Sequence, residues 1–106
     1  MSNSVSLALE IPQEHPAYAG HFPGEPLVPG ALLLAWLQAL VEREISNQQR
    51  RQCKLNEVSS IKFTAPVRPG DSLSIELTQR SDPNKLSLTV TGPNGQACKA
   101  VFVLHA

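Results

Sequence analysis

The fold of this chain is decided by the stretch His21-Phe22-Pro23-Gly24-Glu25-Pro26-Leu27-Val28-Pro29-Gly30, which leads directly into Ala31-Leu32-Leu33-Leu34-Ala35-Trp36-Leu37. Three prolines and two glycines within these ten residues predict a stiff, non-helical loop. The apolar run predicts a helix with Pro29 at the first helical position, where its missing N–H costs nothing. His21 is therefore expected on a rigid loop aimed at a helix N-terminus. The free N–H groups there, including that of Gly30, suit an oxyanion or a polarised carbonyl.

The predicted helix runs from about Ala31 to Ser46 and changes character along its length. Its first three turns are apolar nearly all round, whereas the turns from Glu42 onward are polar. A helix that is apolar on every side is buried, so we expect a central helix that other elements cover and that emerges into water at its C-terminal end. The apolar run is too short for a membrane span, which takes about 20 residues.

Alternating apolar and polar residues on both sides of the helix predict five β-strands that each bury one face. The first strand extends from Val5 to Ile11 and ends at Pro12. The other four cover 58–67, 73–77, 86–90 and 97–104, with turns at 68–71, 81–84 and 92–95. Such runs separated by short turns are typical of an antiparallel meander. The order of one strand, a long helix and four strands predicts an α+β fold in a single domain over residues 1–106.

The charge balance argues against one large class of function. Nine basic and nine acidic residues give a net charge of +0, whereas a nucleic-acid-binding protein needs a basic face. The basic cluster of Arg50, Arg51 and Lys54 is interpreted as a solvated helix end, and a weak docking patch for an acidic carrier protein is the alternative.

The cysteines and histidines predict neither a metal site nor a cofactor. Cys53 and Cys98 lack Cys-x-x-Cys spacing, and His15, His21 and His105 do not form a ligand set. Cys98 lies in a predicted strand and is expected to be a buried thiol. The sequence leaves a disulfide between the two cysteines open. With no signal peptide visible, the cytoplasm is the expected compartment.

The pattern His-Phe-Pro-Gly-x-Pro-x-x-Pro-Gly at 21–30 resembles the signature of the 3-hydroxyacyl-acyl-carrier-protein dehydratases. The preceding stretch His15-Pro16-Ala17-Tyr18-Ala19-Gly20 is most similar to the short dehydratase-like proteins of aryl polyene clusters. The resemblance implies the hot-dog fold, in which an antiparallel sheet wraps a long helix and the protein works as a dimer. It also implies an acyl carrier protein as the partner that brings a 3-hydroxyacyl thioester. The implied reaction is loss of water to give a trans-2-enoyl thioester, in fatty-acid-like or polyene synthesis.

The resemblance also implies roles for individual residues. His21 matches the catalytic histidine, which handles the proton on the carbon next to the thioester. Gly30 matches the glycine whose N–H holds the thioester carbonyl, and Phe22 matches the aromatic residue beside the histidine. On the helix, Leu32, Leu33 and Trp36 are expected to lie partly in the core and partly in the wall of the acyl cleft. Ala35 of the other subunit is expected to be the helix residue nearest to this cleft.

Ala35 departs from the family pattern. The family has Glu or Asp fourteen positions after the histidine, and this position is Ala35 here. The acid protonates the leaving hydroxyl, and such a group contributes about 10²–10⁴-fold in rate. Glu42 lies about 10 Å further along the helix axis. Gln38 carries an amide, which is a poor proton donor, so neither residue is expected to replace the acid.

Three functions follow as alternatives. In the family the histidine comes from one subunit and the carboxyl group from the helix of the other. The chain is therefore expected to be a dehydratase subunit, either in a homodimer of weak or absent activity or in a heterodimer with a second dehydratase-like chain that keeps its acid. The alternatives are a non-catalytic partner that binds acyl chains or their carrier, and a hot-dog thioesterase. The missing carboxylate counts against the thioesterase as well.

Overall fold

The computed structural model describes residues 4–18, 27–50, 54–81 and 84–105, which form one long helix and one five-stranded sheet. The helix α1 covers Gly30–Gln49, and a short 3-10 turn covers Pro16–Tyr18. The strands are β1 (Ser4–Glu10), β2 (Lys54–Phe63), β3 (Ser72–Gln79), β4 (Lys85–Gly92) and β5 (Gly95–His105). The predicted order of one strand, a helix and four strands is therefore confirmed.

The sheet is antiparallel throughout, with the strand order β1-β3-β4-β5-β2. The predicted meander is confirmed for β3, β4 and β5 but is wrong for β2, which pairs with β5 and lies at the far edge. The strand predicted at 58–67 ends earlier, at Phe63. The N–H groups of Thr64 and Ala65 both donate to the Ala97 carbonyl, at 2.8 and 3.3 Å, and Pro66 has no N–H to donate, so the regular pairing stops there. Because β4 and β5 lie between β3 and β2 in the sheet, the connection from β2 to β3 crosses the sheet.

The turn predicted at 68–71 is confirmed as a turn, although it does not join neighbouring strands. The Asp71 N–H donates to the Arg68 carbonyl (3.1 Å), and the Arg68 N–H donates to Asp71 Oδ2 (2.8 Å). Hydrogen bonds with Ile11 then fasten this turn to the end of β1. The turn predicted at 92–95 joins β4 to β5, and Gly95 has a φ of 97°, which favours glycine. In the turn predicted at 81–84, residues 82 and 83 lie outside the described residues.

The core lies between one face of the sheet and one stripe of the helix. The stripe consists of Leu33, Leu37, Val41 and Ile45, spaced four residues apart and all buried. It packs in one cluster with the inner face of the three central strands, whose buried members are Leu73, Ile75, Leu77, Leu86, Leu88, Val90, Cys98, Ala100 and Phe102. Cys98 is fully buried, as predicted. Cys53 lies outside the described residues.

The helix is covered on one side only in the single chain. Ala31, Ala35 and Ala39 are exposed on the side opposite the buried stripe. One sheet reaches only one side of a helix, so the apolar character of the other side has no counterpart within the described part of the chain. We call this side of α1, defined by Ala31, Ala35 and Ala39, the open face.

The helix boundaries differ from those predicted at both ends. Pro29 is the N-cap, with φ −59° and ψ 140°, and Gly30 is the first helical residue. The helix continues to Gln49 because no glycine or proline interrupts it. It ends at Arg50, which has a left-handed φ of 54° and donates its N–H to the Ser46 carbonyl. No helix in the described ranges is both long and apolar enough to span a bilayer.

Candidate active site

Gly30 is the first residue of α1, where the backbone N–H groups lack acceptors within the helix. The Pro29 carbonyl accepts hydrogen bonds from the N–H groups of Leu32 (3.1 Å) and Leu33 (3.0 Å), which closes the first turn. The N–H groups of Gly30 and Ala31 precede that turn, so neither has an acceptor within the helix. The partial positive charge of the helix N-terminus adds to their attraction for a negatively charged oxygen.

The ring of Phe63 packs directly on Gly30. A Cβ atom added to Gly30 would lie 3.1 Å from both Cε2 and Cζ of that ring, closer than ordinary van der Waals contact. Phe63 is nevertheless 47 % exposed, and it is the exposed large apolar side chain among the described residues. A side chain at position 30 would therefore have to displace the ring by a few tenths of an ångström.

An apolar cleft lies at this helix start. It has a volume of about 270 Å³ and is lined by Val28, Gly30, Leu33, Phe63, Ala65, Pro66 and Val67. The hydrogen bond from the Val28 N–H to the Val67 carbonyl (2.8 Å) joins the segment before the helix to the segment after β2. The cleft thus offers apolar surface for an acyl chain next to the donors of the helix N-terminus. None of its lining residues carries a group that could transfer a proton.

Of the site residues predicted from the sequence, Gly30 lies in this cleft. His21 and Phe22 lie outside the described residues, and their roles stay predictions. Leu32 and Trp36 are half-buried on the helix and Ala35 is exposed, and none of the three lines the cleft in the single chain. Their place in an acyl site therefore depends on what meets the helix from outside this chain.

Trp36 instead takes part in an aromatic cluster with the segment that leads towards the loop. The His15 ring meets Trp36 nearly edge-on, with centroids 5.6 Å apart, and lies 5.6 Å from the Tyr18 ring. The Tyr18 hydroxyl donates to the Pro12 carbonyl (2.9 Å), and burial raises the pKa of Tyr18. The segment from His15 to Tyr18 is thus held against the helix at Trp36.

The two polar helix residues considered as substitutes for the acid have a structural role. Glu42 Oε1 accepts the Leu55 N–H at 2.8 Å, and Gln38 Nε2 donates to the Leu55 carbonyl at 3.1 Å. Together they fasten the helix to the beginning of β2. This agrees with the expectation that neither supplies the missing proton. The described residues also contain no group of three or more His, Cys, Asp or Glu that could hold a metal ion.

Phe63 is the site residue that sequence reasoning missed. The alternation of apolar and polar residues identified Phe63 as one of several apolar residues of a strand. The one signal that distinguished it was its position before Thr64-Ala65-Pro66, where a strand must end. Its neighbour Gly30 lies 33 positions earlier in the chain, too far for any local pattern to connect the two.

Comparison with known proteins assigns the chain to a family. A family model described as ApeI-like, ApeI dehydratase, matches residues 1–101. The chain belongs to the ApeI-like dehydratase family. A curated relative, the 3-hydroxyacyl-[acyl-carrier-protein] dehydratase FabZ of Rickettsia felis, is 30 % identical over 109 residues, an alignment that covers 96 % of this chain and 75 % of that protein.

Solved structures show that this family member has the hot-dog fold. An uncharacterised protein from Erwinia carotovora matches with a TM-score of 0.75 and 24 % identity, over 96 % of this chain and 82 % of that one. The dehydratase heterocomplex ApeI:P from Xenorhabdus doucetiae matches with a TM-score of 0.71 and 18 % identity, over 100 % of this chain and 90 % of that one. The predicted α+β hot-dog fold is confirmed.

Proposed function

We propose that this chain is one subunit of a dehydratase that removes water from 3-hydroxyacyl groups carried on acyl carrier protein, and that it works with a second dehydratase-like chain. The observation that carries the proposal is the start of α1, where the Gly30 N–H, which has no acceptor within the helix, lies beside an apolar cleft in a member of the ApeI-like dehydratase family. The reaction has its place in fatty-acid-like or aryl polyene synthesis.

The chain contributes two of the three groups that the reaction needs. His21 removes the proton from the carbon next to the thioester, and the ordinary pKa of a histidine, about 6.5, suits this task near neutral pH. The electrons of that C–H bond move towards the thioester carbonyl, whose oxygen gains negative charge. The Gly30 N–H donates to this oxygen, and one such donor typically lowers the barrier by about 3–4 kcal/mol.

The third group has to come from a partner, because the leaving hydroxyl must receive a proton. Ala35 stands where the family has Glu or Asp, and it lies on the open face of α1, where a second subunit can approach. A partner that keeps the acid at its own matching position would complete one site together with His21 of this chain. The other site of such a heterodimer would face Ala35 and stay inactive. A related dehydratase from Xenorhabdus doucetiae is itself described as a heterocomplex, which supports this assembly.

The test compares the chain alone with the chain purified together with its partner, using 3-hydroxyacyl carrier protein as substrate and mass spectrometry to detect loss of water. We expect little or no dehydration by the chain alone and clear dehydration by the pair. His21→Ala in this chain should abolish the activity of the pair, whereas His105→Ala, a matched change near the C-terminus, should leave it intact. Dehydration at ordinary enzymatic rates by the chain alone would contradict the assignment of Ala35.

A non-catalytic role is the second candidate, and the apolar character of the described residues that line the cleft favours it. In that case the chain would bind the acyl group or its carrier while the partner performs the whole reaction. The pair carrying His21→Ala would then keep its full activity. A thioesterase, the third candidate, would release a free thiol from an acyl thioester, which a thiol reagent detects. The lack of a carboxylate in the cleft counts against that reaction.

A further inference from the structure

The outer face of the sheet, on the side away from α1, carries a shallow groove of about 520 Å³. The lining includes the three cationic side chains of Lys62, Arg80 and Lys99. It also includes three hydroxyl side chains, those of Ser60, Ser87 and Thr89. Ile61, Leu88, Ala100 and Val101 complete the lining, which contains no carboxylate. The groove therefore concentrates positive charge in a chain whose net charge is zero.

The strand register places two of these cations side by side. Lys62 of β2 lies directly opposite Lys99 of β5, and Lys99 lies opposite Thr89 of β4. Like charges directly opposite each other destabilise a sheet, so an anion held between the two lysines would offset a cost that the free protein carries. The Thr89 hydroxyl stands next to them as a neutral donor.

The third cation marks the other end of the groove. Arg80 follows β3, and its N–H donates to the Lys85 carbonyl at 3.1 Å. Lys85 precedes Thr89 by four residues on β4, so about 13 Å of strand separates the two ends of the groove. Ser60 and Ser87, both opposite Val101, lie in the row between them. The long side chains at the two ends can both bend towards this hydroxyl row.

None of the three cations is neutralised within the part of the chain that the structure describes. Neither Lys62, Arg80 nor Lys99 forms an ion pair with a described residue. Two described carboxylates of neighbouring strand positions lie outside the groove: Glu57 opposite Val103, and Glu76 on the far side of Thr89. The described residues therefore leave the positive charge of the groove without an opposite charge.

We propose that this groove binds a linear phosphate ligand with several negative charges, a diphosphate or triphosphate group. Lys62 and Lys99 hold one end, Arg80 holds the other with its planar fork of donors, and the hydroxyl groups of Ser87 and Thr89 donate to the oxygens between them. No aromatic side chain lines the groove, so it offers no surface on which a nucleobase can stack. Recognition is of the phosphate chain itself, and the site is separate from the acyl cleft.

Titration of the wild-type protein with pyrophosphate and with tripolyphosphate, followed by amide chemical shifts, tests the proposal. At about 20 mM salt, where screening is weak, we expect both ligands to bind, and to bind more tightly than orthophosphate, with shifts confined to β2, β4, β5 and Arg80 just after β3. Binding of a short polyglutamate peptide with no binding of either phosphate would overturn the proposal in favour of an acidic protein partner. Absence of any binding would overturn it as well.

Three charge-removing variants separate the site from general surface charge. Lys62→Gln and Lys99→Gln should each weaken tripolyphosphate binding about tenfold, because each removes a charge-assisted hydrogen bond. Arg43→Gln is the control, since Arg43 is an exposed cation on α1, on the opposite side of the sheet from the groove, and it should change binding less than about twofold. An equal loss in all three variants would contradict the proposal. Thermal unfolding checks that each variant is folded.

Discussion

At the scale of single residues, the contact between Gly30 and Phe63 determines what the helix start tolerates. Alanine at position 30 would bring its Cβ within 3.1 Å of the ring. Because Phe63 is half-exposed, the ring can shift, and we expect Gly30→Ala to destabilise the protein by about 1 kcal/mol, at the low end for overpacking.

The effect of Gly30→Ala on the free energy of unfolding should have the opposite sign once the ring of Phe63 is removed. In the Phe63→Ala protein, Gly30→Ala should stabilise by up to about 1 kcal/mol, because alanine favours the helix over glycine. Urea unfolding of the four proteins of this double-mutant cycle measures the coupling. Additive effects would show that the ring does not constrain position 30.

Under the proposed function, Ala35 is the residue on which the activity of the chain alone depends. Ala35→Glu should give the chain alone some dehydratase activity, because the new carboxyl group would face His21 of a second copy. An apolar surrounding raises the pKa of such a group and favours the protonated form, which donates. The measurement is the mass-spectrometric dehydration assay.

Ala39→Glu is the matched control for that variant. Ala39 is exposed on the same open face but lies one turn, about 6 Å, further along the helix. It should give no gain in dehydration. Equal activity in both variants would mean that negative charge on this face, and not a placed acid, produces the effect.

The buried thiol of Cys98 should make the stability of the protein depend on pH. Burial raises the pKa of its thiol above the ordinary value of 9.0, so the folded state holds this proton more tightly than the unfolded state does. The resulting stabilisation is fully present below about pH 9 and is lost as the pH rises towards the folded-state pKa.

Unfolding measured from about pH 8 to pH 10.5 checks this sign. In a Cys53→Ser background, which leaves Cys98 as the remaining cysteine, the free energy of unfolding should fall with rising pH. The fall should be smaller when Cys98→Ala is added. Tyr18, whose pKa is also raised by burial, acts in the same direction in both proteins and cancels in the comparison. Identical slopes would refute the prediction.

At the scale of elements, one pair of polar side chains attaches α1 to the edge strand β2. The carboxylate of Glu42 accepts the Leu55 N–H, and Gln38 donates to the Leu55 carbonyl. Glu42→Ala should therefore destabilise the protein by about 1–2 kcal/mol, since it leaves a partly buried N–H without its charged acceptor. It should also speed hydrogen exchange at the Leu55 amide.

Glu44→Ala provides the control on the same helix. Glu44 accepts a hydrogen bond from Gln48 at 3.4 Å within an exposed pair, which contributes little. We expect a change in the free energy of unfolding below about 0.5 kcal/mol. Comparable losses in the free energy of unfolding of the two variants would indicate that the Glu42 contact with β2 stabilises the protein no more than the exposed Glu44 pair does.

At the scale of the whole molecule, the open face of α1 and the two edge strands predict a dimer. A chain of 106 residues buries a limited core, and an unpaired strand edge invites a partner. We expect two chains to associate, with the sheets side by side and the helices facing each other. Light scattering at micromolar concentration measures the mass, and a monomer there would refute this prediction.

The elements of this protein follow from its sequence because their patterns are local. A period of two residues revealed β1, β3, β4 and β5, and the apolar run after Gly30 revealed the helix. The motif at 21–30 pointed to the family that the comparisons then showed. Each of these signals is contained in a short window of the chain, so no distant contact is needed to interpret it.

Tertiary structure alone decided how the elements meet. Three contacts join residues far apart in the sequence. β2 pairs with β5 rather than β3, Phe63 packs on Gly30, and Glu42 accepts a hydrogen bond from Leu55. The buried stripe of α1 likewise depends on a sheet that covers only one side of it. The physical reason is the same in each case: hydrogen bonding and burial stabilise contacts between groups that are close in space, whatever their separation in the sequence. The alternation of a strand predicts which of its faces is buried but does not predict which strand pairs with it.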